Sequence, residues 1–268
     1  MYRFDYHKPA SLADAVTALA KEDAQAISGG QTLVPTLKAR LAQPSQLVDL
    51  SGVPEMQGIE ITSGQIRLGG AVRHVAVERS PEIAQAFPAL GDLAARIGDP
   101  QVRNRGTLGG SLANNDPAAC YPAAVLATGA TIETDSREIG ADDYFQGMFT
   151  TTLAEGEIVT AVRFPVPLRA AYAKFVQPAS RFALTGVFVA QYAAGVRVAV
   201  TGAAEDGVFR WTEAEAALSH SFAPEALAGH TLAAEGMIGD IHASPEYRAH
   251  LVKVMTGRAV RTAAQGHD

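Results

Sequence analysis

Two adjacent-glycine steps, Gly29-Gly30 and Gly109-Gly110, lie about eighty residues apart and constrain this chain more than any other feature. Such a pair lets the backbone approach another group closely and permits positive φ, at an entropic cost. Ser28-Gly29-Gly30-Gln31-Thr32 falls between an expected strand at 24–28 and an expected helix at 33–41, stopped before Pro44. Thr32 is placed to cap that helix, whose positive dipole end would face an anion. The same pair also suits a plain strand-to-helix turn. The second segment, Gly106-Thr107-Leu108-Gly109-Gly110-Ser111 followed by Asn114-Asn115-Asp116-Pro117, shows no regular period. Its glycines, hydroxyls and Asn/Asp side chains suit a nest of N–H groups around a diphosphate, or a polar surface loop.

The 268 residues suit two or three packed subdomains. Apolar residues make up 47% and charged residues 19%, which favours a folded chain. A net charge of −6 argues against nucleic acid or an anionic membrane as main partner. Cys120 is the single cysteine, so the chain offers neither an internal disulfide nor a set of iron–sulfur ligands. A reducing, cytoplasmic compartment fits this. The first twenty residues lack the unbroken apolar run of a signal peptide. The apolar stretch 182–204 contains Gln191, Gly195 and Arg197 and reads as two strands joined near Gly195, not a membrane helix.

Ser11-Leu12-Ala13-Asp14 reads as a capping box opening a helix over 11–21. Strands are expected at 47–50, 59–61, 66–68, 130–134 and 157–164, with helical segments through 72–97 and at 123–128. Pro165 and Pro167 mark a boundary. Beyond it, strands are expected at 171–177, 184–193 and 196–203, and helices at 212–219, 224–228 and 245–263. Neither glycine segment matches G-x-G-x-x-G or G-x-x-x-x-G-K-[ST], so a Rossmann domain and a P-loop NTPase are not expected. None of the seven histidines has metal-ligand spacing, and no G-x-S-x-G elbow is present. No metal ligand and no catalytic acid or base is assigned. Arg103 and Arg105 could neutralise phosphate, but a structural pairing with a carboxylate is favoured. Lys174 could set a charge beside a cofactor edge; a solvated lysine on a strand's outer face is the default.

The ordered set of segments resembles the FAD-binding medium subunits of molybdenum hydroxylases, such as aerobic carbon monoxide dehydrogenase and bacterial xanthine-dehydrogenase-type enzymes. The likeness runs from Phe4-Asp5-Tyr6 through both glycine segments, Leu47-Val48-Asp49-Leu50, the stretch from Ile97 to Arg103, Tyr144-Phe145-Gln146-Gly147 and the stretch from Glu157 to Phe164. It extends to the helix from Pro245 to Ala263.

The resemblance implies an α+β fold of the PCMH/vanillyl-alcohol-oxidase type. Its FAD-binding domain would cover 1–165, in subdomains of about 1–55 and 56–165. A C-terminal α+β domain with a small antiparallel sheet would cover 166–268. By the same resemblance Ser28, Gly29, Gly30, Gln31, Thr32 and Leu33, with Thr107, Leu108, Gly109, Gly110 and Ser111, hold the FAD pyrophosphate and ribityl. Ile97, Ile158 and Lys174 also touch the cofactor. The family usually has Asp or Glu at the position of Cys120, where it binds a FAD hydroxyl. Cysteine is a poor acceptor, and Asp116 is the candidate substitute.

The function implied is electron transfer through noncovalent FAD. A partner subunit would hold the molybdenum cofactor and another the 2Fe-2S clusters. FAD would pass electrons to an external acceptor, whether NAD, a quinone or oxygen, and any membrane association would come through the complex. Two rival readings are a free-standing FAD-dependent oxidase or dehydrogenase of the same fold, and a FAD-free scaffold. The substrate of the complex leaves no mark on this chain.

Overall fold

The computed structural model describes residues 1–266 and shows, among them, three larger sheets clad by helices and one two-stranded hairpin sheet. In the first fifty residues, β1 (Asp5–His7), α1 (Leu12–Leu19), β2 (Ala24–Ile27), α2 (Leu33–Lys38) and β3 (Gln46–Asp49) form a small parallel sheet ordered β1-β3-β2. Ser11 caps α1 by accepting from the Asp14 N–H at 3.2 Å. The Asp14 carboxylate reaches back to the Ala10 N–H, one residue before the cap. α2 is shorter than its periodicity suggests: it closes at Lys38, and Arg40 turns the chain with a left-handed φ of 59°. Among the described residues, the buried cluster under this sheet is small: Ala15, Val48, Val53 and Met56 are among its members, and Ala71 and Ile158 from the following subdomain complete it.

β4 (Ile59–Thr62) and β5 (Gln65–Gly69) make the expected hairpin. Three short helices follow, α3 (His74–Arg79), α4 (Pro81–Ala86) and α5 (Pro88–Ala95), the last two opened by proline at the first position. The segment 106–117, expected to lack a regular period, instead holds α7 (Leu108–Asn114), which follows α6 (Pro100–Arg103) and precedes α8 (Tyr121–Thr128). Two glycines inside α7 lower its intrinsic propensity, so packing and the Thr107 cap override the local signal. β6 (Thr131–Thr134), β7 (Glu138–Gly140), α9 (Ala141–Tyr144), a small hairpin of β8 (Phe145–Gly147) and β9 (Thr150–Thr151), and β10 (Val159–Pro165) complete this part. β10 inserts between β5 and β6, giving the antiparallel order β4-β5-β10-β6-β7.

The last hundred residues form a meander, β11 (Arg169–Val176), β12 (Ala183–Tyr192), β13 (Gly195–Ala204) and β14 (Gly207–Arg210), followed by α10 (Thr212–His220) and the long α11 (Pro245–Gln265). β14 is not among the expected strands, and the helix expected at 224–228 is a 3₁₀ turn over Pro224–Leu227. α11 and α10 cover one face, burying Val187, Val198, Val252, Met255 and Val260. The other face joins the main core, where Tyr172, Phe188, Ala190 and Ala199 pack with Leu90, Leu93, Tyr121 and Phe164. That core is continuous across Pro165–Pro167. Each large apolar side chain so buried contributes roughly 1.5–3 kcal/mol. Buried Arg248 fixes α11 to the sheet by donating to the Leu184 and Gly202 carbonyls and to Asp240.

Candidate functional site

The two glycine turns touch. Thr107 Oγ1 donates to Ser28 Oγ at 3.0 Å, bridging segments 79 residues apart. At Gly29 an added Cβ would lie 2.4 Å from the Arg105 carbonyl oxygen and 2.7 Å from Gly106 Cα. Gly109 packs on Gly70, whose carbonyl oxygen would lie 2.8 Å from a Cβ there. These glycines are needed for the protein's own backbone to close on itself. Gly30 needs its freedom for a φ of 70°.

The turns differ in what they offer a ligand. Among the described residues the N–H groups of Gly29, Gly30, Gln31 and Thr32 donate to no other protein group, and Gln31 and Thr32 are exposed. Four successive free donors make a concave anion site. In the second turn the donors are already used: Leu108 N–H goes to Val72 O, Gly109 N–H to Gly70 O, and Gly110 N–H to Thr107 Oγ1. The expected nest of N–H groups at 106–111 is therefore corrected to a capped first helical turn that supports the first. The expected Thr32 cap is also corrected: its side chain makes no cap bond, and its carbonyl accepts from Thr36 Oγ1. Leu33 is half-buried where α2 begins.

A second cluster surrounds a cavity of about 170 Å³ lined in part by Ile97, Val102, Cys120, Lys174, Arg181 and Phe182. Lys174 is 9% exposed, so the solvated-lysine reading fails. Its ammonium donates to the Arg96 carbonyl at 2.8 Å and to Cys120 Sγ at 3.4 Å. Ala170, Tyr172 and Lys174 share the strand face that packs into the main core, so this sheet has no solvent-facing side for them. Burial, then the neighbouring Cys120, raises the Tyr172 phenol well above its ordinary range. Cys120 itself is buried at the N-cap of α8.

α6 links the two clusters. Val102 lines the cavity, and its carbonyl accepts the Gly106 N–H at 2.7 Å. Arg103 pairs with Glu78 at 2.6 Å and donates to Ile97 O, bearing out its structural reading. Asp116 accepts from the Ala118 N–H, so one carboxylate oxygen is already engaged in a turn. Ile158 is buried, and both its backbone groups are tied to Asp135, so it offers no free N–H. Next to it, Glu157 binds Arg137, which lowers its pKa to about 2.

Sequence reasoning missed Gly69-Gly70 and His74. Gly70 would place a Cβ 2.1 Å from Val159 O, and it carries the second turn. The signal was present as a third adjacent pair. His74 lies under Gly106, its Nε2 2.7 Å from where a Cβ would stand, and its N–H donates to Gly106 O. Burial, then the charge of Arg103, lowers its pKa to about 4, so the imidazole is neutral.

A model of the FAD binding domain in molybdopterin dehydrogenase matches residues 2–167. The chain is 38% identical to the nicotine 6-hydroxylase medium subunit of Paenarthrobacter nicotinovorans, over 95% of each chain. It is 31% identical to the carbon monoxide dehydrogenase medium chain of Hydrogenophaga pseudoflava, over 97% of each. A chain of quinoline 2-oxidoreductase from Pseudomonas putida 86 superposes with a TM-score of 0.89 at 33% identity, covering 99% of this chain and 98% of that one.

Proposed function

The chain belongs to the family of FAD-binding domains of molybdopterin dehydrogenases, and from that membership we infer that it is the FAD-carrying medium subunit of a multi-subunit molybdenum hydroxylase. The site fits the cofactor: the four free N–H groups of Gly29–Thr32 are suited to a diphosphate, and this observation carries the reading. Bound FAD supplies the electron-accepting ring. The chain's own work is to hold, orient and shield it. Ser28 and Thr107 lock the two turns together. Gly109 lets the second turn pack on Gly70, and Gly110 and Ser111, in the first turn of α7, are assigned to the pyrophosphate. The cavity of Ile97, Cys120 and Lys174 takes a further part of the cofactor, with Lys174 held by Arg96 O so that its charge points inward. Asp116 keeps one carboxylate oxygen for a hydroxyl. The part assigned to Ile158 is packing beside the cofactor, since its N–H is spent.

The domains are assigned as 1–165, with subdomains about 1–55 and 56–165, and 166–268; the family match at 2–167 supports the division. The partners are a molybdenum-cofactor subunit and a 2Fe-2S subunit; the relatives' own designations as medium subunits or medium chains fit such an assembly. Among the described residues no helix is long and apolar enough to cross a membrane, and a cytoplasmic site of action is proposed. The test is spectral. The purified chain should carry one FAD that acid precipitation releases to the supernatant, and candidate substrates should not bleach it anaerobically. Rapid bleaching with no partner present would instead establish the free-standing oxidase, and a colourless chain that takes up no FAD would establish the scaffold.

A further inference from the structure

We propose that the cationic groove between α11 and the 224–231 segment is where an acidic, apolar-anchored segment of a partner subunit docks. The groove has a volume of about 440 Å³. Its α11 wall consists of His250, Lys253, Val254, Gly257, Arg258 and Arg261. Those positions recur at i, i+3, i+4, i+7, i+8 and i+11, which is one face of a helix. Pro224, buried Leu227 and Ala228 form the opposite wall.

Two guanidinium groups, one ammonium group and one imidazole thus face a single groove on a chain whose net charge is −6. Among the described residues none of the four pairs with a carboxylate; Lys253 is tied only to the Ala228 carbonyl, at 2.9 Å. Glu225 lies on the neighbouring 3₁₀ turn and pairs with none of them. Arg258 and Arg261 are exposed, whereas the half-buried or buried Arg103, Arg197, Arg210 and Arg248 are each taken up by a carboxylate. Unpaired cations over an apolar floor call for an occupant with both carboxylates and apolar side chains. The stripe spans twelve residues from His250 to Arg261, about 16 Å of helix, which suits three turns of a helix better than a lone phosphate. The groove opens on the far side of the sheet from the cavity and glycine turns, since α11 and α8 cover opposite faces. The contact therefore serves assembly and not cofactor binding. A local reversal of sign also lets an acidic chain attract an acidic partner.

The inference rests on the subunit reading above. The test uses the whole complex: wild type and an Arg258→Glu/Arg261→Glu variant are titrated against the cognate molybdenum and iron–sulfur subunits at low and high salt. The variant should keep its FAD content and melting temperature, lose affinity at least tenfold, and lose most of its salt dependence. Arg258→Lys/Arg261→Lys should restore it, and the milder Arg258→Gln/Arg261→Gln gives the same reading should the glutamates disturb folding. Unchanged affinity and salt dependence in folded variants would overturn the proposal, as would loss of inorganic phosphate or ATP binding with assembly intact. Wild type that assembles without FAD would sink the cofactor reading and leave docking standing. Wild type that carries FAD yet joins neither subunit would sink docking and leave the cofactor.

Discussion

The glycine turns and the Lys174 cavity are two halves of one proposed site built by opposite means. The turns are made of backbone: free N–H groups at Gly29–Thr32, carbonyls of Gly70 and Val72, and glycines that admit no Cβ. The cavity is made of side chains whose positions come from distant elements: Cys120 on the approach to α8, Lys174 on β11, Ile97 after α5. A backbone site is written locally and breaks when an atom is added where its strands touch, at Gly29, Gly70 or Gly109. A side-chain site is written by the fold and can be retuned one group at a time.

The sharpest break should come at Gly29→Val. A Cβ 2.4 Å from Arg105 O forces the turns apart, so FAD retention should vanish, read as flavin absorbance per protein. Normal flavin content would show that the turns need not touch. Next is acid. Folded His74 titrates near about 4 against 6.5 when free, so the unfolded chain binds the extra proton in between. Stability is full above pH 6.5 and falls by roughly 3 kcal/mol as the pH drops toward 4. Denaturation midpoints from pH 7 to 4.5 should show this, and His74→Gln should flatten the slope; an equal slope in the variant would place the titrating group elsewhere. Glu157 adds a separate loss below pH 4.5, since its pKa is lowered to about 2 and its stabilisation needs the carboxylate charged.

Retuning the cavity is a smaller step. Cys120→Asp places a carboxylate beside the Lys174 ammonium and a FAD hydroxyl. A charged hydrogen bond contributes roughly 1.5–3 kcal/mol, so FAD affinity should rise about tenfold. Titration showing no gain, or a loss, would mean that the new carboxylate serves Lys174 alone. The mildest change is Gly110→Ala. Its Cβ meets only Thr107 Oγ1, at 3.0 Å, on a helical backbone. The FAD-free protein should gain up to about 1 kcal/mol. FAD affinity should weaken less than about tenfold. Complete loss of FAD would return the phosphate contact to the second turn and narrow the contrast between the halves.

Three strands of the meander, the hairpin at 59–68 and most helices were legible because their periodicities are strong and turns such as Ser63-Gly64 and Gly195 punctuate them. So were the two turns, since adjacent glycines signal close backbone approach without any knowledge of the partner. α7 was not, because Gly109 and Gly110 suppress its helical signal. Lys174 was misread because strand alternation cannot reveal that α5 and α8 cover the face that water would otherwise have. Ile158 looked available for the same reason: its tie to Asp135, 23 residues earlier, exists only in three dimensions. The division of labour between the turns was illegible too, since it depends on Gly70 and Val72 spending the second turn's donors.

The small cluster under the first sheet, completed by Ala71 and Ile158 from the second subdomain, has a consequence for the life of the protein. So small a core is marginal alone, and its tie through Ser28 and Thr107 closes a long stretch of chain at an entropic cost. FAD spanning both turns would add its binding free energy to that closure. Cofactor loading would then double as a maturation check: limited proteolysis should cut the amino-terminal unit faster in the flavin-free chain than in the loaded one.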